Sequence, residues 1–205
     1  MNAKPETSPP TPLRVYIAGS HSTGKTTLAR WTSRTYGLPL VTEVARAVLA
    51  ELELPLETLR VDLDRTRHFQ REVFRRQAVA EDEAGERFVS DRAFDNLAYA
   101  AHHTLSLAEI IKEEHAWEYA KRLQAQHAVV FFVRPHRDLL KDDGVRAVGS
   151  WEEIIRIDGM VKILLEMHNI DYIAVESLNM AERARTMRAA MKLLGVPPTS
   201  SPALH

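Results

Sequence analysis

Leu13 to Thr27 reads Leu-Arg-Val-Tyr-Ile-Ala-Gly-Ser-His-Ser-Thr-Gly-Lys-Thr-Thr. The first part, Leu13 to Ala18, is an apolar run of strand length that stops at a glycine. The middle, Gly19 to Thr26, has the spacing G-x-x-x-x-G-K-[ST]. The residues beyond it, up to Tyr36, have helical periodicity and are closed by Gly37, a residue that ends helices well. Strand, glycine loop and helix in this order are the setting in which such a loop cradles phosphate. Gly19 and Gly24 let the backbone curl so that successive N–H groups converge on an anion. The start of the helix adds partial positive charge. On this reading Gly19, Ser22, Thr23, Gly24, Lys25, Thr26 and Thr27 bind the nucleotide's phosphates. Lys25 reaches the outer phosphates and Thr26 holds Mg²⁺.

Working outward, further apolar runs occupy Leu38 to Thr42, Arg87 to Ser90, Ala128 to Val133 and Asp171 to Val175. The run Val129-Val130-Phe131-Phe132-Val133 is continuously apolar, as a strand covered on both faces should be. Helical patterns lie between the runs: Glu43 to Leu52, Leu56 to Glu83, Phe94 to His102, Leu107 to Gln126, Trp151 to Met167 and Ala181 to Leu194. Strands separated by helices predict parallel pairing through right-handed crossovers, hence an α/β fold with helices on both faces of the sheet.

The composition fits one soluble domain. A chain of 205 residues buries about 70% of its unfolded surface and needs no staples. Lys plus Arg number 27 against 28 Asp plus Glu, so there is no global pull toward nucleic acid or membrane. There is no cysteine, which excludes disulfides and thiolate metal sites. No apolar run approaches the ~20 residues of a membrane helix, and the N-terminus lacks a signal-peptide core, so a cytoplasmic protein is expected. Residues 1–12, rich in Pro, Ser and Thr, read as a disordered leader, residues 13–195 as the domain, and residues 196–205 as a flexible tail.

Three features point to transfer of phosphate onto a small molecule. Val41-Thr42-Glu43 places a carboxylate at the end of the second strand, where sites in open α/β sheets lie. Glu43 suits a base that takes the acceptor hydroxyl's proton; the same carboxylate equally suits a solvated first helical turn. Ser90-Asp91-Arg92 ends the third strand with an acid–base pair. Asp91 suits support of Mg²⁺ or the base itself, Arg92 suits the acceptor or the transferring phosphate, and a plain strand-end ion pair fits as well. Asp95 and Asn96 follow at helical spacing, as pocket lining or as helix caps. Residues 134–150 carry Arg134, His136, Arg137, Lys141 and Arg146, with Gly144 and Gly149 as hinges, the composition of a lid or of an ordinary solvated loop. Arg137 is assigned to nucleotide binding and Arg146 to charge in the transition state.

These residues together resemble the nucleoside and nucleotide kinase branch of P-loop proteins. The second half is most similar to the ribosylnicotinamide kinase domain of bacterial NAD-regulatory proteins and its small stand-alone relatives. The similar stretches are Phe88 to Ala98, Asp142 to Ser150 leading into Trp151-Glu152-Glu153, and the helix that ends Met167-His168-Asn169-Ile170. The resemblance covers residues 13–195. It implies a three-layer fold with five parallel strands in the order 2-3-1-4-5, ATP and Mg²⁺ as cofactors, and donor or metal roles for Lys25, Thr26, Asp91 and Arg146. Departures from the pattern are His21 in the loop, Glu43, which is closer to deoxynucleoside kinases, and a long Arg-rich helix. Stand-alone relatives in bacteriophages act on hydroxymethylated pyrimidines within DNA, so DNA modification stands beside a free nucleoside-like acceptor. A switch ATPase without a small-molecule acceptor is a third reading.

Arg60, Arg67, Arg71 and Arg75 lie on the Arg-rich helix and would be the face that docks DNA; the bland alternative is a solvated face laced with i,i+4 pairs. His102-His103 and the other histidines show no metal-ligand spacing along the chain. The sequence leaves the oligomeric state open.

Overall fold

In the computed structural model the described residues are 11–42, 44, 47–48, 62–104, 108–109, 112, 114–139 and 150–200. Glu43, Arg60, Lys141 and Arg146 lie outside them, as do the lid residues 140–149, most of the leader and the last five residues.

Five strands form one parallel sheet in the order β2-β3-β1-β4-β5: β1 (Leu13–Ala18), β2 (Leu40–Val41), β3 (Arg87–Ser90), β4 (Ala128–Val133) and β5 (Ile173–Val175). The helices are α1 (Lys25–Tyr36), α2 (Leu63–Glu83), α3 (Asp95–Thr104), α4 (Glu114–Leu123), α5 (Trp151–Met167) and α6 (Met180–Leu193), with a short 3-10 turn at Arg137–Leu139. Alternation along β1 shows why the strand is unbrokenly apolar from Val15 to Ala18, beyond Arg14. Tyr16 and Ala18 enter a core with Phe88, Phe94, Tyr119, Phe132 and Ile157. Val15 and Ile17 enter a second core on the other face, with Leu28, Trp31, Phe131, Met187 and Met191. Both faces are covered from Val15 to Ala18, so these positions must be apolar. Among the described residues no helix is long and apolar enough to cross a membrane.

Register sets the site. Tyr16 pairs with Ser90, Val41 with Ser90, and Ala18 with Phe132. Gly19, Thr42, Asp91 and Arg134 therefore leave the sheet at one edge. Helix ends follow their chemistry. Gly37 has φ 61° and donates to Ser33 O, closing α1. Asp62, Ser150 and Asn179 each accept a backbone N–H at the start of α2, α5 and α6.

The second strand is shorter than Leu38 to Thr42. Leu38 N donates to Ser33 O in the α1 cap, and Pro39 has no N–H to give. Only Leu40–Val41 remain paired, although Pro39 O still accepts Val89 N at 2.8 Å. The start of the expected tail is held: Thr199 N and Ser200 N both donate to Thr35 O, at 2.7 and 3.1 Å.

Under β3, Glu81 is buried with one carboxylate oxygen facing Ser90 Oγ (2.6 Å), Gln77 Nε2 (2.9 Å) and Tyr119 OH (3.0 Å). Burial pushes its pKa from 4.5 up to about 7, against the pull of these donors. The folded protein thus binds a proton that the unfolded chain has released between about pH 4.5 and 7. That contribution is full below the unfolded pKa and fades as pH rises through the folded one. Stability should fall by about 3 kcal/mol across this window. The expected result in denaturant titrations is a slope that flattens in Glu81→Gln; an equally steep Glu81→Gln profile would contradict it.

Candidate nucleotide site and acceptor edge

The loop between β1 and α1 has the backbone its glycines allow. Gly19 (φ 147°) and Gly24 (φ 84°) lie in regions that side chains rarely adopt, and Ser22 is also left-handed at φ 57°. At Gly19 a Cβ would lie 2.4 Å from Val133 O, so the loop lies directly against β4. Thr23 Oγ1 donates to Ser20 O at 3.0 Å, tightening the turn. Thr27 sits half-buried in the first turn of α1.

Lys25 points back into this loop. Its Nζ donates to Ser20 O at 2.6 Å and lies 3.5 Å from Asp95 Oδ1. Burial lowers the Lys25 pKa, and Asp95 followed by Asp91 opposes that shift. Thr26 Oγ1 donates to Asp91 Oδ2 at 2.7 Å, and Thr42 Oγ1 approaches the same oxygen at 3.4 Å. Burial raises the Asp91 pKa, chiefly against Lys25. The other oxygen, Asp91 Oδ1, is buried with no hydrogen-bond partner. A buried carboxylate oxygen without a donor, beside a threonine hydroxyl, fits a hard cation with oxygen ligands such as Mg²⁺. The curled loop amides and Lys25 fit the phosphates of a nucleotide.

Asp95 was legible only as pocket lining or a cap, and the structure gives it more. It is fully buried. Oδ1 accepts Gly19 N at 3.0 Å and Oδ2 accepts Ala93 N at 2.8 Å. It ties the first residue of the loop and Lys25 to the start of α3. The spacing Asp91-x-x-x-Asp95 after a strand end was the available signal. Arg92 Nη1 donates to Asn96 Oδ1 at 2.8 Å, and Asn96 Nδ2 donates to Gln77 Oε1 at 3.2 Å. The strand-end arginine is thereby held by α3 and by the polar group around Glu81. His21, in the loop, places Nδ1 3.1 Å from Tyr99 OH. Burial lowers its pKa to about 4, so the ring is neutral at pH 7.

Arg183 carried no signal in the sequence, because its partners are backbone carbonyls, two of them distant along the chain. It is fully buried. It donates to Thr23 O (2.5 Å), Ser177 O (2.8 Å) and Arg134 O (2.9 Å), fastening the phosphate loop to the ends of β4 and β5. Arg134 itself pairs with buried Asp158 at 2.8 Å. Arg137 is not gathered to the loop by any of these bonds: its guanidinium lies 5.1 Å from the ring centroid of Trp151, the first residue of α5. Along α2, Arg75 and Arg76 both bond Glu72 and Arg67 pairs with Glu109.

A family model described as an AAA domain matches residues 14–183. Among solved structures, the chain is similar to NadR protein in complex with NR, with a TM-score of 0.63 and 17% identity over 94% of this chain and 54% of that one. NadR protein in complex with NAD and AMP-PNP gives 0.58 and 15%, over 94% and 52%. Shikimate kinase from Acinetobacter baumannii in complex with shikimate gives 0.52 and 14%, over 90% and 94%. The chain spans about half the length of the NadR chains it matches. At these identities the likeness shows the fold, a P-loop kinase-like three-layer sheet. No curated protein sequence matches the chain.

Proposed function

Because the chain belongs to the AAA-domain family on a P-loop kinase-like fold, we propose that it is an ATP- and Mg²⁺-dependent kinase that phosphorylates a hydroxyl of a small, nucleoside-like acceptor. The observation that carries this reading is the joined set Lys25–Asp95 and Thr26–Asp91 at the carboxyl edge of the sheet. Bound ATP supplies the transferable phosphoryl group, and Mg²⁺ offsets its charge.

The chain's own residues do the rest. Gly19, Ser22, Thr23, Gly24 and Thr27 present the loop and first-turn backbone to the phosphates. Thr26 and Asp91 hold the cation, and Lys25 stabilises negative charge beside it. Arg92, fixed by Asn96, orients the acceptor end. Arg137 is assigned to nucleotide binding, and Arg146 joins Arg92 in offsetting charge as the segment 134–150 closes. The acceptor proton goes to Glu43 or Asp91. Glu43→Gln should lower kcat by about 10²–10⁴-fold while leaving KM for ATP unchanged; steady-state kinetics showing no effect would move the base to Asp91.

A small acceptor is favoured over a base in DNA because the cations of α2 are engaged on the protein. Arg75 is bonded to Glu72 and Arg67 to Glu109; Arg60 lies outside the described residues. The test is ADP release with and without acceptors. A kinase shows turnover that depends on one acceptor class. Turnover stimulated only by DNA, and suppressed steeply by salt, would support the DNA reading. Turnover indifferent to every acceptor would support a switch ATPase.

A further inference from the structure

Three side chains outside the nucleotide site converge where α3 meets the start of α5. His102 Nε2 and His103 Nε2 each lie 3.9 Å from the same atom, Glu153 Oε1. One donor atom from each residue lies within 4.8 Å of the other two. Spacing along the chain hides the group, because neighbours on a helix diverge by roughly 100° and the carboxylate comes from another element. Here the two rings stand at 81° with centroids 5.0 Å apart, and both reach Glu153.

The separations have chemical content. A distance of 3.9 Å is too long for a direct hydrogen bond. Two ligand atoms bound to one tetrahedral ion at about 2 Å each lie roughly 3.3 Å apart, so each imidazole needs to move only about half an ångström toward Glu153 Oε1 to share an ion with it. His103 Nδ1 lies 2.8 Å from Tyr99 O. A carbonyl only accepts, so Nδ1 donates and the neutral ring keeps its lone pair on Nε2, facing Glu153. Such a carbonyl partner is how metal-ligating imidazoles are oriented. Glu153 lies in the first turn of α5, where its backbone N–H donates to the capping Ser150 Oγ at 3.2 Å.

We propose that His102, His103 and Glu153, the ligand group found among the described residues, form a binding site for a divalent transition metal ion of the zinc class. Two imidazoles and one carboxylate suit Zn²⁺ or Co²⁺, whereas Mg²⁺ prefers oxygen. The ion ties α3 to the first turn of α5, at the base of the segment 134–150. Tyr99 links it to the phosphate loop. Its carbonyl holds His103, its hydroxyl meets His21, and its ring stacks between theirs at 6.4 and 5.7 Å. Its three ligands are other residues than Thr26 and Asp91, and the site stands whether or not the chain transfers phosphate.

The test titrates Zn²⁺ and Co²⁺ into the full chain, stripped with a chelator and free of nucleotide. The expected result is one tightly held Zn²⁺ per chain, a raised Tm, and visible Co²⁺ absorption of a low-coordinate site. His102→Ala and His103→Ala should each weaken binding at least ~100-fold, beyond the 10–100-fold cost of losing an outer-shell partner. Asp91→Asn should leave the affinity unchanged, which separates this ion from one at the nucleotide site. Circular dichroism checks that the variants fold. Zn²⁺ held no more tightly by the wild type than by a folded His102→Ala/His103→Ala double variant would overturn the proposal. So would binding lost in Asp91→Asn.

Discussion

Lys25→Ala is expected to lower kcat by at least about 10²–10³-fold, the scale of losing one preorganised group that stabilises transition-state charge, while the protein remains folded. The ammonium sits at the head of the loop, 2.6 Å from Ser20 O and 3.5 Å from Asp95. Its removal takes away the positive charge aimed at that position. The fold tolerates this because Asp95 keeps Gly19 N and Ala93 N as donors, so its buried carboxylate is not left without partners. Kinetics and thermal unfolding on the same preparation give the result. An unchanged kcat would remove Lys25 from the chemistry. A variant that is unfolded would make the residue a structural pin instead.

Arg183→Ala should be the most destabilising single change near the site, by about 3–5 kcal/mol. The guanidinium is fully buried and serves three carbonyls, of Thr23, Ser177 and Arg134. Each acceptor left buried and unpaired costs about 1 kcal/mol or more, and the vacated volume adds a cavity term. Lysine should recover little, since one ammonium does not reproduce a planar fork that spans three acceptors. Denaturant unfolding measures the loss. ATP affinity should fall with it, because Thr23 O belongs to the phosphate loop. A loss under about 1 kcal/mol would mean that water replaces the arginine without cost.

The loop and α1 were readable because local signals agreed there: an apolar strand, two glycines at fixed spacing and a glycine C-cap. The sheet order came from a resemblance and matches the structure. The features that escaped notice depended on contacts distant along the chain. Asp95 resembles any first-turn acid until α3 is placed against Gly19 N. Arg183 bonds only carbonyls, and carbonyls leave no trace in a sequence. Strand β2 was overdrawn because Leu38 is apolar, yet its N–H serves the α1 cap. His102 and His103 gained meaning only when α5 brought Glu153 beside them. The expected base Glu43 and lid arginine Arg146 lie outside the described residues, so kinetics must place them.

The most direct measurement follows the γ-phosphoryl group. The full chain is incubated with γ-labelled ATP and Mg²⁺ and offered, in parallel, nucleosides, ribosylnicotinamide, nucleoside monophosphates and hydroxymethylpyrimidine DNA. Label on a small nucleoside-like acceptor, absent with Lys25→Ala, is the expected result. Label appearing only as inorganic phosphate, whatever acceptor is present, would contradict it.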